Sequence, residues 1–349
     1  MRIALDRRVR ESAAWESERA ELLASRISAL GLAIRGTRVE RLASRLADEL
    51  RARGVSFRPE VYLSDEWGCP DGSPVIGVPF YLADERLERI EAEHSGSVEG
   101  DEEAMRYLRH EAGHALNYAF HIHARADFES VFGNYAQPYH EHYATDPLSR
   151  AHVRHILGWY AQKHPDEDFA ETFAVWLTPD LDWRTEYADW PALRKLEWLD
   201  GVMRTVGGLE PPSIAVSDDD LPVEAMHWTV GEHYSTAEML ALGDGRQFDR
   251  DLARIFAPAR PGEDDEDAAS YLERHESELV ARVGYWAGVS PGVVRSLLRA
   301  LRDRSRVMHL CVMDGEATTL IELTAFGTAV LLHWRYARIA DAHPSDPET

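Results

Sequence analysis

The most constraining stretch of the chain is His110-Glu111-Ala112-Gly113-His114. It lies within residues 101–122, where Met105, Leu108, Ala112, Leu116 and Ala119 recur at steps of three and four. That period is the signature of one amphipathic helix. Histidines four apart on a helix project from the same face, about one turn from each other. Two neutral imidazoles so placed can each give a nitrogen to one Zn²⁺ at roughly 2.0–2.1 Å. Glu111, beside the first of them, can reach a water on such a metal and take its proton. The plainer alternative is two surface histidines and an ordinary acid on a charged helix. Gly113 speaks against it, because glycine inside a helix costs about 1 kcal/mol relative to alanine. A helix carries that cost where something has to approach closely.

A second acidic helix is expected about fifty residues downstream. Pro165 suits the first turn of a helix, and Asp166, Glu167 and Asp168 suit its positive end. Phe169, Phe173, Val175, Trp176 and Leu177 supply an apolar side. Glu167 and Glu171 are four apart and share a face. One of them can ligate zinc while the other hydrogen-bonds a ligand histidine and sets its tautomer. Spacing alone does not say which does which.

His110-Glu111-Ala112-Gly113-His114, then Tyr160, then Glu167-Asp168-Phe169-Ala170-Glu171 together resemble the gluzincin metallopeptidases. The likeness is to a bacterial group of zinc-binding metallopeptidases, and the region is similar to the catalytic domain of anthrax lethal factor. It spans roughly residues 60–200. The resemblance implies that Glu167 is the third zinc ligand, Glu171 the partner of a ligand histidine, and Tyr160 a hydroxyl that stabilises an oxyanion. Many members of the bacterial group carry an N-terminal cysteine-rich zinc ribbon. This chain has only Cys69 and Cys311, so that part of the pattern is missing.

Two cysteines far apart read as lone thiols in a reducing cytoplasm. The first twenty residues are rich in Arg and Glu and hold no apolar core of a secretion signal. No run of about 18 apolar residues marks a membrane span. A formal charge of −23 argues against partners such as nucleic acid or an anionic membrane. At 349 residues the chain exceeds one typical domain. The expected division is a helical segment 1–54, a catalytic domain 55–212 and a mostly helical accessory domain 213–349.

Before the zinc helix, Phe57 to Leu63 and Val75 to Tyr81 read as strands around the turn-rich Cys69-Pro70-Asp71-Gly72-Ser73-Pro74. Pro79 makes the second an edge strand. Such a strand either pairs with an extended substrate or belongs to a plain hairpin. His140-Glu141-His142-Tyr143 reads as cleft wall rather than a second ligand set. In the C-terminal part, 235–242, 248–256, 268–283 and 290–303 read as helices and 261–267 as an acidic linker. Val307 to Val312 with Thr318 to Leu323 read as a hairpin, and 324–340 as a closing helix. Arg295, Arg299, Arg302, Arg304 and Arg306 form a basic stripe, either a solvated face or a dock for acidic surface.

The expectation is therefore an α+β protein with a mainly helical zincin-like domain, a small edge-strand sheet and a mostly helical C-terminal domain. His110, His114 and Glu167 would hold Zn²⁺, Glu111 would be the general base, and the partner would be a peptide or protein substrate. The rival is a binding or regulatory protein on the same scaffold, with structural zinc or a cleft blocked by the C-terminal part.

Overall fold

The computed structural model describes residues 14–95, 98–140, 143–212, 221–235, 245–259, 266–289, 291–312 and 315–342. The chain divides into two compact units, residues 1–141 with 145–237 and residues 142–144 with 238–349. The fold is mainly helical with a few short strands, as expected.

The first unit begins with helix α1 over residues 14–24. Helix α2, Arg38–Ala52, buries Val39, Leu42, Leu46, Glu49 and Leu50, which is one helical face. Gly54 follows at φ +77°, a left-handed conformation that glycine adopts without steric cost. Strands β1, Glu60–Ser64, and β2, Val75–Pro79, pair in parallel from Glu60 opposite Val75 to Ser64 opposite Pro79. The plain hairpin is thus not what forms. The residues between the strands run along the other side of β2, where Gly68 and Gly77 exchange both backbone hydrogen bonds at 3.3 and 2.7 Å. Strand β2, with all five residues buried, lies between β1 and the segment 66–69, so it is not the edge expected from Pro79, which is its last residue, past the bridge at Gly77. A Cβ on Gly77 would come within 3.0 Å of the Ser64 Cβ and 3.1 Å of the Tyr62 hydroxyl, so the bare backbone lets these layers close.

Helix α3, Glu85–Ser95, leads to α4, Asp101–Phe120. From Leu108 to Ala119 every residue of α4 is buried. The helix expected to be amphipathic is therefore the central one, and each polar side chain in it needs a partner. Arg109 finds Glu49 of α2, with Nε and a terminal nitrogen donating to its two carboxylate oxygens at 2.7 and 2.8 Å. Removing one member of a buried pair leaves the other charge uncompensated, at about 3–5 kcal/mol. Arg45, partly exposed, also reaches Glu49 at 3.2 Å, so Arg109→Met should lose toward the lower end of that range in urea unfolding, and adding Glu49→Leu should recover most of it. Equal stability of the single variant and the parent would contradict the pairing.

Short helix α5, Glu129–Phe132, precedes α6, Pro165–Leu177, which is buried along its whole length. Helices α7, Trp183–Glu186, α8, Leu193–Val206, and α9, Val230–Ser235, complete the unit. One core runs from Trp15 to Tyr234, so residues 14–52 pack together with the two helices of the motif. Residues 221–235 join it as well, although the sequence reading began the C-terminal domain at 213. The tie is backbone pairing: Ile27 donates to the Trp228 carbonyl at 3.1 Å and Ser28 to that of Met226 at 3.0 Å.

The second unit has its own core, from Phe248 to Leu331. It comprises α10, Asp249–Ile255, β3, Ala257–Pro258, α11, Ala268–Arg274, α12, Glu276–Ala287, α13, Pro291–Met308, β4, Leu310–Cys311, and α14, Glu316–Ala342. The hairpin expected over 307–323 is corrected by these elements. Val307 and Met308 finish α13, β4 pairs antiparallel with β3, and residues 318–323 open α14. Among the described side chains of α14, Thr319, Leu323, Gly327 and Leu331 are the buried positions, a four-residue step that overrides the strand propensity of its threonines. Four of the five arginines of the stripe find acidic partners within the unit. Arg304 pairs with Asp249 at 2.7 Å, Arg306 with Asp303 at 3.2 Å, and Arg295 and Arg302 approach Glu276 at 3.4 and 3.6 Å.

Residues 213–220, where the C-terminal domain is expected to begin, most of the expected helix 235–242 and most of the expected linker 261–267 lie outside the described residues. Cys69 and Cys311 are both free thiols. Among the described residues no helix is long and apolar enough to cross a membrane.

Candidate metal centre

The site is made by the closest contact between α4 and α6. Gly113 lies against Ala170: a Cβ on Gly113 would sit 2.7 Å from the Ala170 Cα, 3.0 Å from its carbonyl oxygen and 3.1 Å from the Phe173 Cβ. Glycine facing alanine brings two backbones together that ordinary side chains hold at 8–10 Å between axes. The helices run antiparallel, since His110 meets Glu171 while Asn117 and Tyr118 meet Asp166. His110 and His114 flank Gly113, and Glu167 and Glu171 flank Ala170 at the same offsets. All four side chains are therefore delivered to one place.

Glu167 Oε2 lies 3.0 Å from Nε2 of His110 and 3.2 Å from Nε2 of His114, and the two nitrogens are 3.1 Å apart. Behind each ring stands a carboxylate. Nδ1 of His110 donates to Glu171 at 2.9 Å, and Nδ1 of His114 to Asp166 at 3.1 Å. An ionised carboxylate only accepts, so the proton belongs on Nδ1 and Nε2 offers a lone pair. Three electron-pair donors then face one another at about 3 Å, which is repulsive unless a cation is shared among them. His110, His114 and Glu167 could hold a metal ion, and two histidines with one carboxylate suit zinc.

The titration behaviour follows from the same geometry. Burial works to lower the His110 pKa, but the bonds to Glu167 and Glu171 prevail and raise it to about 9. His114 is raised well above its usual value against the same burial, by Asp166 and Glu167. Asp166 is buried too, yet His114, Tyr118 and Asn117 draw it down to about 2. Without a metal, protons neutralise the cluster. Glu111 is different. Burial raises its pKa, with the two histidines only partly opposing.

The sequence reading gives Asp166 a place at the positive end of its helix but no part in the site. Its Oδ1 accepts from Asn117 at 2.7 Å and its Oδ2 from the Tyr118 hydroxyl at 2.6 Å. The available signal was the rule that each ligand histidine gives its other nitrogen to a carboxylate or carbonyl, which asks for a partner for His114 as well as for His110. Glu171 is held in turn by the backbone N–H groups of His155 and Ile156, at 3.1 and 2.9 Å. Such outer partners are worth about 10–100-fold in metal affinity. Glu171→Gln and Asp166→Asn should each weaken zinc by that factor in chelator competition. Unchanged affinity in both would show that the rings are held by other means.

Tyr160 opens a short 3₁₀ turn, Tyr160–Gln162, after two left-handed residues, Gly158 at φ 86° and Trp159 at φ 55°. A tryptophan in that conformation is strained, and such strain gathers at functional sites. It aims the Tyr160 ring at His110, with centroids 5.5 Å apart. A cleft of about 630 Å³ opens here, lined by Glu111, Tyr160, Trp67, Tyr139 and Lys163 among others. Of the His140–Tyr143 stretch, Glu141 and His142 lie outside the described residues.

Residues 99–186 match a family model described as "Putative zinc-binding metallo-peptidase". The likeness expected from the motifs is thus borne out over the stretch that holds both helices and the turn between them. Comparison with curated proteins and with solved structures gives no match.

Proposed function

We propose that the protein is a zinc-dependent peptidase that hydrolyses peptide bonds through a metal-activated water. One observation carries the reading: three donors converge from α4 and α6 at the floor of a cleft that also holds Glu111 and Tyr160. Zinc held by His110, His114 and Glu167 would supply Lewis acidity, bringing the pKa of water in its open position toward about 7. Glu111 accepts the proton of the attacking water and delivers it to the leaving amine. The Tyr160 hydroxyl donates to the oxyanion. Burial and the nearby Glu167 raise its pKa, which keeps the phenol protonated for that task. Glu171 and Asp166 hold the imidazoles in the tautomer that presents Nε2.

The substrate backbone lies along the segment 66–69. Gly68 spends both its backbone groups on Gly77. Its neighbours Trp67 and Cys69 flank that bridge. Both residues line the cleft. This is the mode in which an extended peptide adds to a sheet edge.

The test uses the full chain loaded with one equivalent of zinc and a peptide library cut from denatured proteins. Cleavage should appear, vanish on chelation and return with zinc. A metal-replete protein that cleaves nothing in the library overturns the peptidase and leaves a binding protein on the same scaffold.

A further inference from the structure

The Glu167 carboxylate has two oxygens, and the histidines account for one. Oε2 faces both Nε2 atoms, at 3.0 and 3.2 Å. Oε1 accepts a hydrogen bond from the hydroxyl of Tyr139, a residue from the loop after α5. That loop is fastened to the start of α6 through His164. The His164 Nε2 donates to the Gln137 carbonyl at 3.1 Å, while its Nδ1 accepts from the Asp166 N–H at 3.2 Å. The Tyr139 ring lies 5.3 Å from the His164 ring, and the Lys163 ammonium sits 4.4 Å from its centroid on the cleft side. Two tyrosines from separate segments, Tyr139 and Tyr160, thus line the cleft together.

We propose that Tyr139 is a positioning residue for the third ligand: by occupying Oε1 of Glu167 it leaves only Oε2 for the cation. The inference rests on the metal site proposed above and adds to it how that site keeps a vacancy. A carboxylate can bind zinc through one oxygen or two. If the second oxygen turns inward, it competes for the position that the attacking water needs. Tyr139 prevents this from outside the ligand set, at a position that no motif marks. The residue is 48% exposed, too open for one whose role is core packing.

The variant Tyr139→Phe removes the hydroxyl and keeps the ring. The protein is prepared metal-free, then loaded with zinc for affinity by chelator competition, or with cobalt(II) for its visible spectrum. Loss of the tether should weaken zinc about tenfold, the low end for outer-shell partners. The cobalt d–d bands should weaken as coordination passes from four toward five, and kcat should fall with little change in KM. Tyr160→Phe, by contrast, should lower kcat and leave the cobalt spectrum as it is. An unchanged spectrum and affinity in Tyr139→Phe overturns the proposal and leaves the zinc site standing. A parent protein that takes up no stoichiometric metal overturns both. A thermal melt of Tyr139→Phe close to the parent's is expected, because the ring and its packing on His164 are kept. A lowered melt without a cobalt shift would assign the tyrosine to the scaffold.

Discussion

Replacing Glu111 by glutamine should remove peptide hydrolysis and leave the zinc where it is. The side chain is buried, lines the cleft and is not one of the three candidate ligands. Glutamine has nearly the same shape but cannot take a proton. A positioned general base is worth about 10²–10⁴-fold in rate, and a loss of that order in kcat is expected, with zinc content by metal analysis still at one per chain. The pairing of measurements matters. Loss of activity together with metal would mean only that the helix had been disturbed. A metal-replete Glu111→Gln protein with full activity would falsify the base assignment.

The second large effect is expected at Gly113. By helix propensity alone, Gly113→Ala should stabilise α4 by about 1 kcal/mol. The new methyl would instead meet the Ala170 backbone at 2.7 Å, a distance at which one helix must move. Overpacking of this kind costs about 1–3 kcal/mol, and with backbone as the obstacle the upper end applies. We expect a net loss of about 1–2 kcal/mol in the metal-free protein. Zinc affinity should fall further, by tenfold or more, because the same movement draws His110 and His114 away from Glu167. A raised melting temperature with unchanged affinity would show that the two helices do not touch there.

Gly113 also shows what could be read from the residues alone. A glycine between two histidines, in a helix that gains nothing from it, already said that something comes close. The period of α4, the proline start of α6 and the shared face of Glu167 and Glu171 were legible for the same reason. Each is a local rule about one helix. What escaped was relational. Asp166 read as an acid favoured by the helix dipole, and only its distance to His114 reveals its second task. Tyr139 stands in a stretch without period. The parallel pairing of β1 and β2 could not be inferred from two apolar runs and a turn, because turn residues signal a reversal without saying on which side the chain returns. In α14, the β-branched residues near its start carried a strand signal that burial at four-residue steps outweighs.

The two walls of the cleft differ in mechanical character. On one side the segment 66–69 is backed by β2, with its five buried residues, and β2 by β1. Pushing on that wall means compressing close-packed interior, which resists deformation. On the other side Tyr139 stands on a loop held to α6 by its hydrogen bond to Glu167, by that of His164 to the Gln137 carbonyl and by ring contacts to His164. Compliance is therefore unequal. A bulky guest meets an anvil on the sheet side and a spring on the tyrosine side, and adjustment to guests of different size falls on the loop that also steadies Glu167.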